Sequence, residues 1–285
     1  MLLFSGEAIP TVHALMPNRQ MPSYTFLFQL VSDRLIAEFG SIGAVSFLHL
    51  DFEQPAIKAA SQVFPTVSIK GCLFHFGQAV LRNLQEKGLS MVYQQSASSG
   101  FDGPQFAPVK QWVRRLCSMA LLTPNLVVPA WNRLLCFPPR TGNAKIDESL
   151  REFAVYFEKQ WLGSSEKVAL FNHFDHNGPR TNNHAEGYNN SLRAKFDHPH
   201  PRLSVFLVKF QQWHHQKQMR VRELKRGVTP NPRAHQYIAN DKNVETCKVI
   251  FQSIVSGLNL TDLACHSFLD QEIVRYLDAV QYLIG

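Results

Sequence analysis

One segment of the sequence gathers amide side chains around a single carboxylate. Residues 180–192, RTNNHAEGYNNSL, contain four asparagines and one acid, Glu186. If the segment is helical, Glu186, Asn189 and Asn190 share a face by their three- and four-residue spacing. Oxygen ligands of this kind suit a hard cation such as Mg²⁺. A capping box between Asn183 and Glu186 is the structural alternative, although it leaves the other asparagines unexplained.

A second carboxylate, Asp51, follows the apolar run AVSFLHL, which has the length and composition of a buried strand. In open α/β sheets, groups at the carboxyl ends of strands face the crevice where ligands bind. Asp51 is therefore a candidate functional acid. It also precedes a predicted helix, so the alternative role of a helix N-cap remains open.

Two pairs of metal-binding residue types flank the middle of the chain. Cys72 and His75 form C-x-x-H, and His173 and His176 form H-x-x-H. Together the four side chains have the nitrogen and sulfur ligands of a structural zinc site. The alternative is a buried thiol beside unrelated histidines.

Positive charge is concentrated in one stretch. Residues 193–226 contain nine Lys or Arg and two acids, Asp197 and Glu223, a surplus equal to the net charge of +7 for the whole chain. A localised basic stripe suits a polyanion such as nucleic acid. A solvated helix face would have the same composition, so both interpretations stand at this point.

The elements that would position these residues form two patterns. Strands are predicted at 11–17, 44–51 and 66–74, with helices at 23–39, 53–64 and 75–88 between and after them, which is typical of an α/β fold. Helices follow over 109–162, 182–196 and 203–226, the last with an apolar stripe (Leu203, Phe206, Leu207, Phe210, Trp213), and two short helices close the chain over 249–284. The predicted division is an α/β part at 1–105, a helical insertion at 106–170, closing core helices at 171–226 and a helical extension at 227–285.

Cysteine usage and hydropathy bear on location. The five cysteines are an odd number at irregular spacings, which favours a reducing, intracellular compartment. No apolar run approaches the ~20 residues of a membrane span. The first ten residues, MLLFSGEAIP, have no basic region typical of a signal peptide.

Four stretches, in this order, resemble the Mutator-like element (MULE) transposases over roughly residues 5–215. They are VHALMPNRQMPSYTFLF, HLDFEQPAIKAASQVFP, GCLFHFGQAVLRNLQEKGL and RTNNHAEGYNNSLRAKF. The resemblance implies a ribonuclease H-like core with a helical insertion. It also implies a nuclear enzyme that binds duplex DNA at transposon ends and cleaves and joins strands with two Mg²⁺ or Mn²⁺ ions. A homo-oligomer is one state open to such a protein.

The same resemblance assigns roles to individual residues. Asp51 corresponds to the second aspartate of the family's Asp-Asp-Glu set, Glu186 to the closing glutamate, and Cys72 with His75 to its Cys/His feature. The first aspartate corresponds to a point before residue 1, so we expect an N-terminally incomplete core that is inactive alone. A domesticated, non-catalytic DNA-binding protein is the alternative. The expected DNA contacts are Asn182, Asn183, Asn190, Arg193, Lys217, Arg220, Arg222, Lys225 and Arg226.

Overall fold

The chain folds mainly into helices, with two short sheets. The structure, a computed structural model, describes residues 2–4, 7–43, 45–95, 100–101, 103–176, 180–181, 183–196, 198, 200–230, 235–258 and 263–283. The strands are β1 (Leu2–Phe4), β2 (Glu7–Ile9), β3 (Phe47–Leu50) and β4 (Ser68–Gly71). The helices are α1 (Met21–Phe39), α2 (Gln54–Val63), α3 (Leu73–Glu86), α4 (Ser90–Gln94), α5 (Ala107–Ser118), α6 (Pro124–Ala130), α7 (Ala144–Phe157), α8 (Ser165–Phe171), α9 (Asn183–Arg193), α10 (Leu203–Lys225), α11 (His235–Ser256) and α12 (Leu263–Val280). Within these ranges, no helix is both long and apolar enough to span a bilayer.

The predicted strand–helix–strand pattern around Asp51 is confirmed. β3 and β4 pair in parallel, with Phe47 opposite Ser68 and Leu50 opposite Gly71, and α2 lies between them in sequence. Pro55 stands in the first turn of α2, where its missing N–H costs nothing. Gly88 follows α3 with a φ of +73°, a conformation that glycine adopts without strain. The described strands form two separate two-stranded sheets. The structure therefore shows the predicted alternation of strands and helices but not a ribonuclease H-like sheet.

The predicted strand at residues 11–17 is wrong. Residues 10–16 have no regular secondary structure, since no described strand lies beside them to complete a ladder. Side-chain contacts hold this segment instead. The His13 ring packs edge-on against Phe210 at 4.9 Å and hydrogen-bonds to the Tyr188 hydroxyl.

The closing helices are longer than predicted. The first begins at His235 rather than near Val249, and the second ends at Val280. The polar sequence before Val249 has weak helix propensity, but Val244 and Phe251 are buried, and tertiary packing outweighs propensity there.

Contacts within the chain define two compact units, each described here by itself. The small unit comprises residues 1–45, 53–66 and 181–234, and the large unit comprises 46–52, 67–180 and 235–285. In the small unit, α2 packs on α1, and Ala59 and Ala60 of α2 are fully buried. The ring of Phe64, just after α2, lies 6.0 Å from that of Phe28 on α1.

One apolar core fills the large unit. It combines the buried face of α3, the helices of residues 106–171 and the last two helices of the chain. Phe76 of α3 stacks on Phe171 at 4.7 Å and meets Trp161 edge-on at 4.7 Å. α12 contributes Ile273 and Leu277, both fully buried. The helices after residue 235 are thus part of the same core as the helices of the predicted insertion. These two units are defined by contacts and do not test the predicted domain boundaries, which stay predictions.

Candidate functional site

Asp51 occupies the carboxyl edge of the parallel strand pair. It follows β3 directly. Just after β4, the Cys72 amide donates a hydrogen bond to the carbonyl of Leu50, the last residue of β3, at 2.9 Å. The ends of β3 and β4 are therefore fixed to each other at this point. The Asp51 side chain is 53% exposed, so its carboxylate is open to solvent.

A close contact between Phe52 and Gly71 holds the residue that follows Asp51. A methyl group at position 71 would lie 2.4 Å from Cζ of the Phe52 ring, nearer than any real contact. The same ring meets Trp161 edge-on, with centroids 5.1 Å apart. Glycine at position 71 is therefore required for the Phe52 ring to pack here.

His75, in the first turn of α3, faces Asp51. Its Nδ1 atom lies 3.1 Å from Oδ1 of Asp51. The sequence predicts different metal sites for the two residues, Mg²⁺ for Asp51 and zinc for His75. The structure brings the two together in one half-exposed pair.

Three histidines cluster behind this edge. The ring centroids of His49, His173 and His176 are 5.4 to 6.2 Å apart. His173 is fully buried, and its Nε2 donates to the Gly71 carbonyl at 2.7 Å. The pKa of His173 is lowered to about 3, mainly by burial. The Gly71 hydrogen bond opposes this shift, and the neighbouring His49, His176 and Lys70 add to it. His173 is therefore neutral at ordinary pH.

The structure does not gather the four predicted zinc ligands into one group, and a zinc site there stays a prediction. Across the described part of the chain, no group of three or more His, Cys, Asp or Glu side chains is arranged to hold a metal ion. The physical reason is that the side chains have other contacts: His75 faces Asp51, His173 bonds to Gly71, and His176 packs edge-on against Phe47 at 4.4 Å.

His49 is the member of this cluster that sequence reasoning missed. It sits two positions before Asp51 on β3, and its Nε2 lies 3.2 Å from the Gly71 carbonyl. The period of two along a strand puts His49 and Asp51 on one face, which was the available signal. Burial lowers the pKa of His49 as well.

Glu186 lies in the first turn of α9, in the small unit, and its side chain is half-buried. Asn189 and Asn190 on the same helix are exposed. Asn182 and the side chain of Asn183 lie outside the described residues. Since Asp51 belongs to the large unit, the shared site predicted for Asp51 and Glu186 stays a prediction.

Residues 4–79 match the family model of the MULE transposase domain. Neither a curated protein nor a solved structure matches the chain. The matched segment contains Asp51, Cys72 and His75 and stops before Glu186, so the resemblance seen in the sequence is confirmed over this segment.

The basic helix α10 lies beyond the segment that matches the MULE transposase domain. Among the cations predicted to contact DNA, Arg193, Arg222, Lys225 and Arg226 are exposed. The other two, both half-buried, have contacts within the chain. Lys217 Nζ lies 5.2 Å from the centre of the Trp213 ring, and Arg220 pairs with Glu223 at 3.1 Å.

The predicted apolar stripe of α10 is buried only in part. Trp213 is 2% exposed, its ring 4.4 Å from that of Tyr188 on α9. Leu203 and Leu207, in contrast, are 64% and 41% exposed. The helix turns a narrower apolar face toward its unit than the sequence pattern indicated.

Proposed function

We propose that this chain is a fragment of a MULE-type transposase core that acts in the nucleus by binding duplex DNA through α10. Two observations support the proposal. The matched segment relates the chain to a family that works on DNA. The exposed cations Arg222, Lys225 and Arg226 stand together at the end of α10. The second observation carries the proposal, because phosphate neutralisation by clustered Lys and Arg supplies most non-specific DNA affinity.

Charge balance along α10 favours DNA over a simple solvated face. The helix has 23 residues, and Glu223 is its single acid, already paired with Arg220. Solvated helices generally mix both signs, since oppositely charged residues three or four apart stabilise each other. A surface with cations and one neutralised acid instead attracts a polyanion.

For catalysis, the resemblance assigns Asp51 and Glu186 to two of the family's three carboxylates. Two-metal chemistry needs carboxylates that hold both ions around the reacting phosphate. Among the described residues, no group of three or more His, Cys, Asp or Glu side chains is arranged to hold a metal ion, and Asp51 faces His75. Asp51 and Glu186 belong to different units, so their shared metal site stays a prediction. We therefore derive no reaction step through Mg²⁺ or Mn²⁺, and we propose that the chain alone binds DNA without cutting it.

Binding can be tested by fluorescence anisotropy on a random-sequence duplex at one low salt concentration. The variant Arg222→Gln/Lys225→Gln/Arg226→Gln should bind at least about tenfold more weakly. Each phosphate contact releases counterions from the DNA, and this favourable contribution to binding is lost with the contact. The matched control is Lys58→Gln/Lys145→Gln/Lys159→Gln, which removes the same charge from exposed positions on α2, on α7 and in the π-helical segment that follows α7. Equal losses in the two variants would show that only net charge matters and would contradict a site on α10.

A further inference from the structure

The side of α10 opposite its buried residues has a distinctive composition. Trp213 and Leu224 face the small unit, 2% and 6% exposed. The opposite side, called here the outward face, presents residues three and four apart that are all exposed: Val208, Gln211, Gln212, His215, Met219 and Arg222. Val208 is 55% and Met219 41% exposed, so apolar and amide groups stand side by side in solvent.

The outward face carries no carboxylate. The acid of α10, Glu223, pairs with Arg220 and lies to one side. One end of the face continues into Lys225 and Arg226, both exposed. A polyanion can approach the whole length of this face without meeting negative charge, and the cations at its end would anchor it.

The functional groups on this face are those that read base edges in the major groove. A glutamine amide can bond to adenine with both donor and acceptor, and aliphatic groups such as Val208 contact the methyl of thymine. Histidine and arginine donate to the acceptors of guanine. An α-helix fits the major groove, which is about 12 Å wide.

We propose that the outward face of α10 is a recognition surface that enters the major groove of duplex DNA and gives the chain a sequence preference. This inference rests on the proposed function, because the cations at the end of α10 must first hold the duplex. On phosphate contacts alone the chain would bind all sequences equally. Gln211, Gln212 and His215 supply the discrimination, and Val208 and Met219 supply apolar contacts.

The composition favours DNA over a second copy of the chain as the occupant. A stable homodimer buries a largely apolar patch whose centre is depleted of charge. The outward face has two apolar residues among amides, a histidine and an arginine. Burying those polar groups against an identical face would leave hydrogen-bonding groups without partners.

The test is selection from a random-sequence duplex pool with the purified 285-residue chain, followed by sequencing of the bound fraction. We expect enrichment of a short motif. Its affinity should exceed that of a scrambled duplex by at least about fivefold, the low end for one good base contact. The variant Gln211→Ala/Gln212→Ala/His215→Ala should lose that preference and keep its affinity for the scrambled duplex within about threefold.

A charge variant serves as the control. Lys225→Gln/Arg226→Gln, which leaves the outward face intact, should weaken binding to motif and scrambled duplexes by the same factor. Binding without any enrichment would overturn the recognition surface and leave the proposed function standing. No binding to any duplex would overturn the proposed function itself. If the alanine variant changes the oligomeric state in sedimentation while DNA binding stays as in the wild type, the face is an interface between copies and the inference is wrong.

Discussion

The Nδ1 atom of His75 lies 3.1 Å from Oδ1 of Asp51 at the carboxyl edge of the parallel strand pair. The segment that matches the MULE transposase domain therefore contains an acid paired with a histidine from its C-x-x-H sequence. The His75 side chain is 30% and the Asp51 side chain 53% exposed, so solvent screens their attraction.

The first prediction is that the Asp51–His75 pair contributes little to stability. A double-mutant cycle with Asp51→Ala and His75→Ala, followed by urea unfolding, should give a coupling free energy below about 1 kcal/mol, as for other exposed pairs. A coupling of several kcal/mol would mean that the pair is desolvated and structural.

The second prediction concerns Gly71. Gly71→Ala should lower the free energy of unfolding by about 1–3 kcal/mol, since the new methyl group overlaps the Phe52 ring. Gly77→Ala is the matched control in α3, where nothing lies within 4 Å of the added methyl. That control should stabilise by about 0.5–1 kcal/mol through helix propensity. If both variants behave alike in urea titrations, the Phe52 contact does not constrain this edge.

The third prediction is a loss of stability in mild acid. The pKa of buried His173 falls from 6.5 to about 3 on folding, so the unfolded chain binds the proton more tightly. The stability is fully present above pH 6.5 and declines as pH falls toward 3, by at most about 1.4 kcal/mol per pH unit for this group. His49 acts in the same direction.

Urea unfolding at pH 7.5, 6 and 5 measures this slope above the range in which carboxylates titrate. His173→Asn should be less stable at pH 7.5 and show a shallower decline. A wild-type stability that is flat or rising toward pH 5 would rule out a buried neutral His173.

The fourth prediction concerns the two carboxylates. If the family roles hold, a crystal structure should place the carboxylates of Asp51 and Glu186 within about 4–8 Å, the range that one or two bridging ions allow. The 285-residue chain should show no nicking of plasmid DNA with Mg²⁺ or Mn²⁺. Robust nicking would mean that a further acid completes the site. Glu53, two residues after Asp51, is the first candidate; its carboxylate accepts a hydrogen bond from the Tyr24 hydroxyl at 2.9 Å.

Sequence patterns predicted the local elements best. The apolar run before Asp51, Pro55 in the first turn of α2 and Gly88 after α3 each have a local physical meaning, and the structure confirms the elements they mark. Contacts between distant segments were not visible in this way. The pairing of Asp51 with His75 follows from the parallel alignment of β3 and β4. Spacing alone suggested zinc because it does not show which way a side chain turns.

Burial was also hard to predict where packing decides it. Leu203 and Leu207 have the spacing of a core stripe, yet they remain exposed while Trp213 fills the contact with α9. The helix from His235 forms despite its polar start because Val244 and Phe251 are covered by the large unit's core.

The most direct measurement of the central claim is the salt dependence of duplex affinity. On a plot of log affinity against log salt concentration, the slope should be about −0.9 for each phosphate contact. Arg222→Gln/Lys225→Gln/Arg226→Gln should make that slope shallower by up to about 2.7. An unchanged slope in this variant, or no binding by the wild-type chain at low salt, would contradict a DNA-binding role for α10.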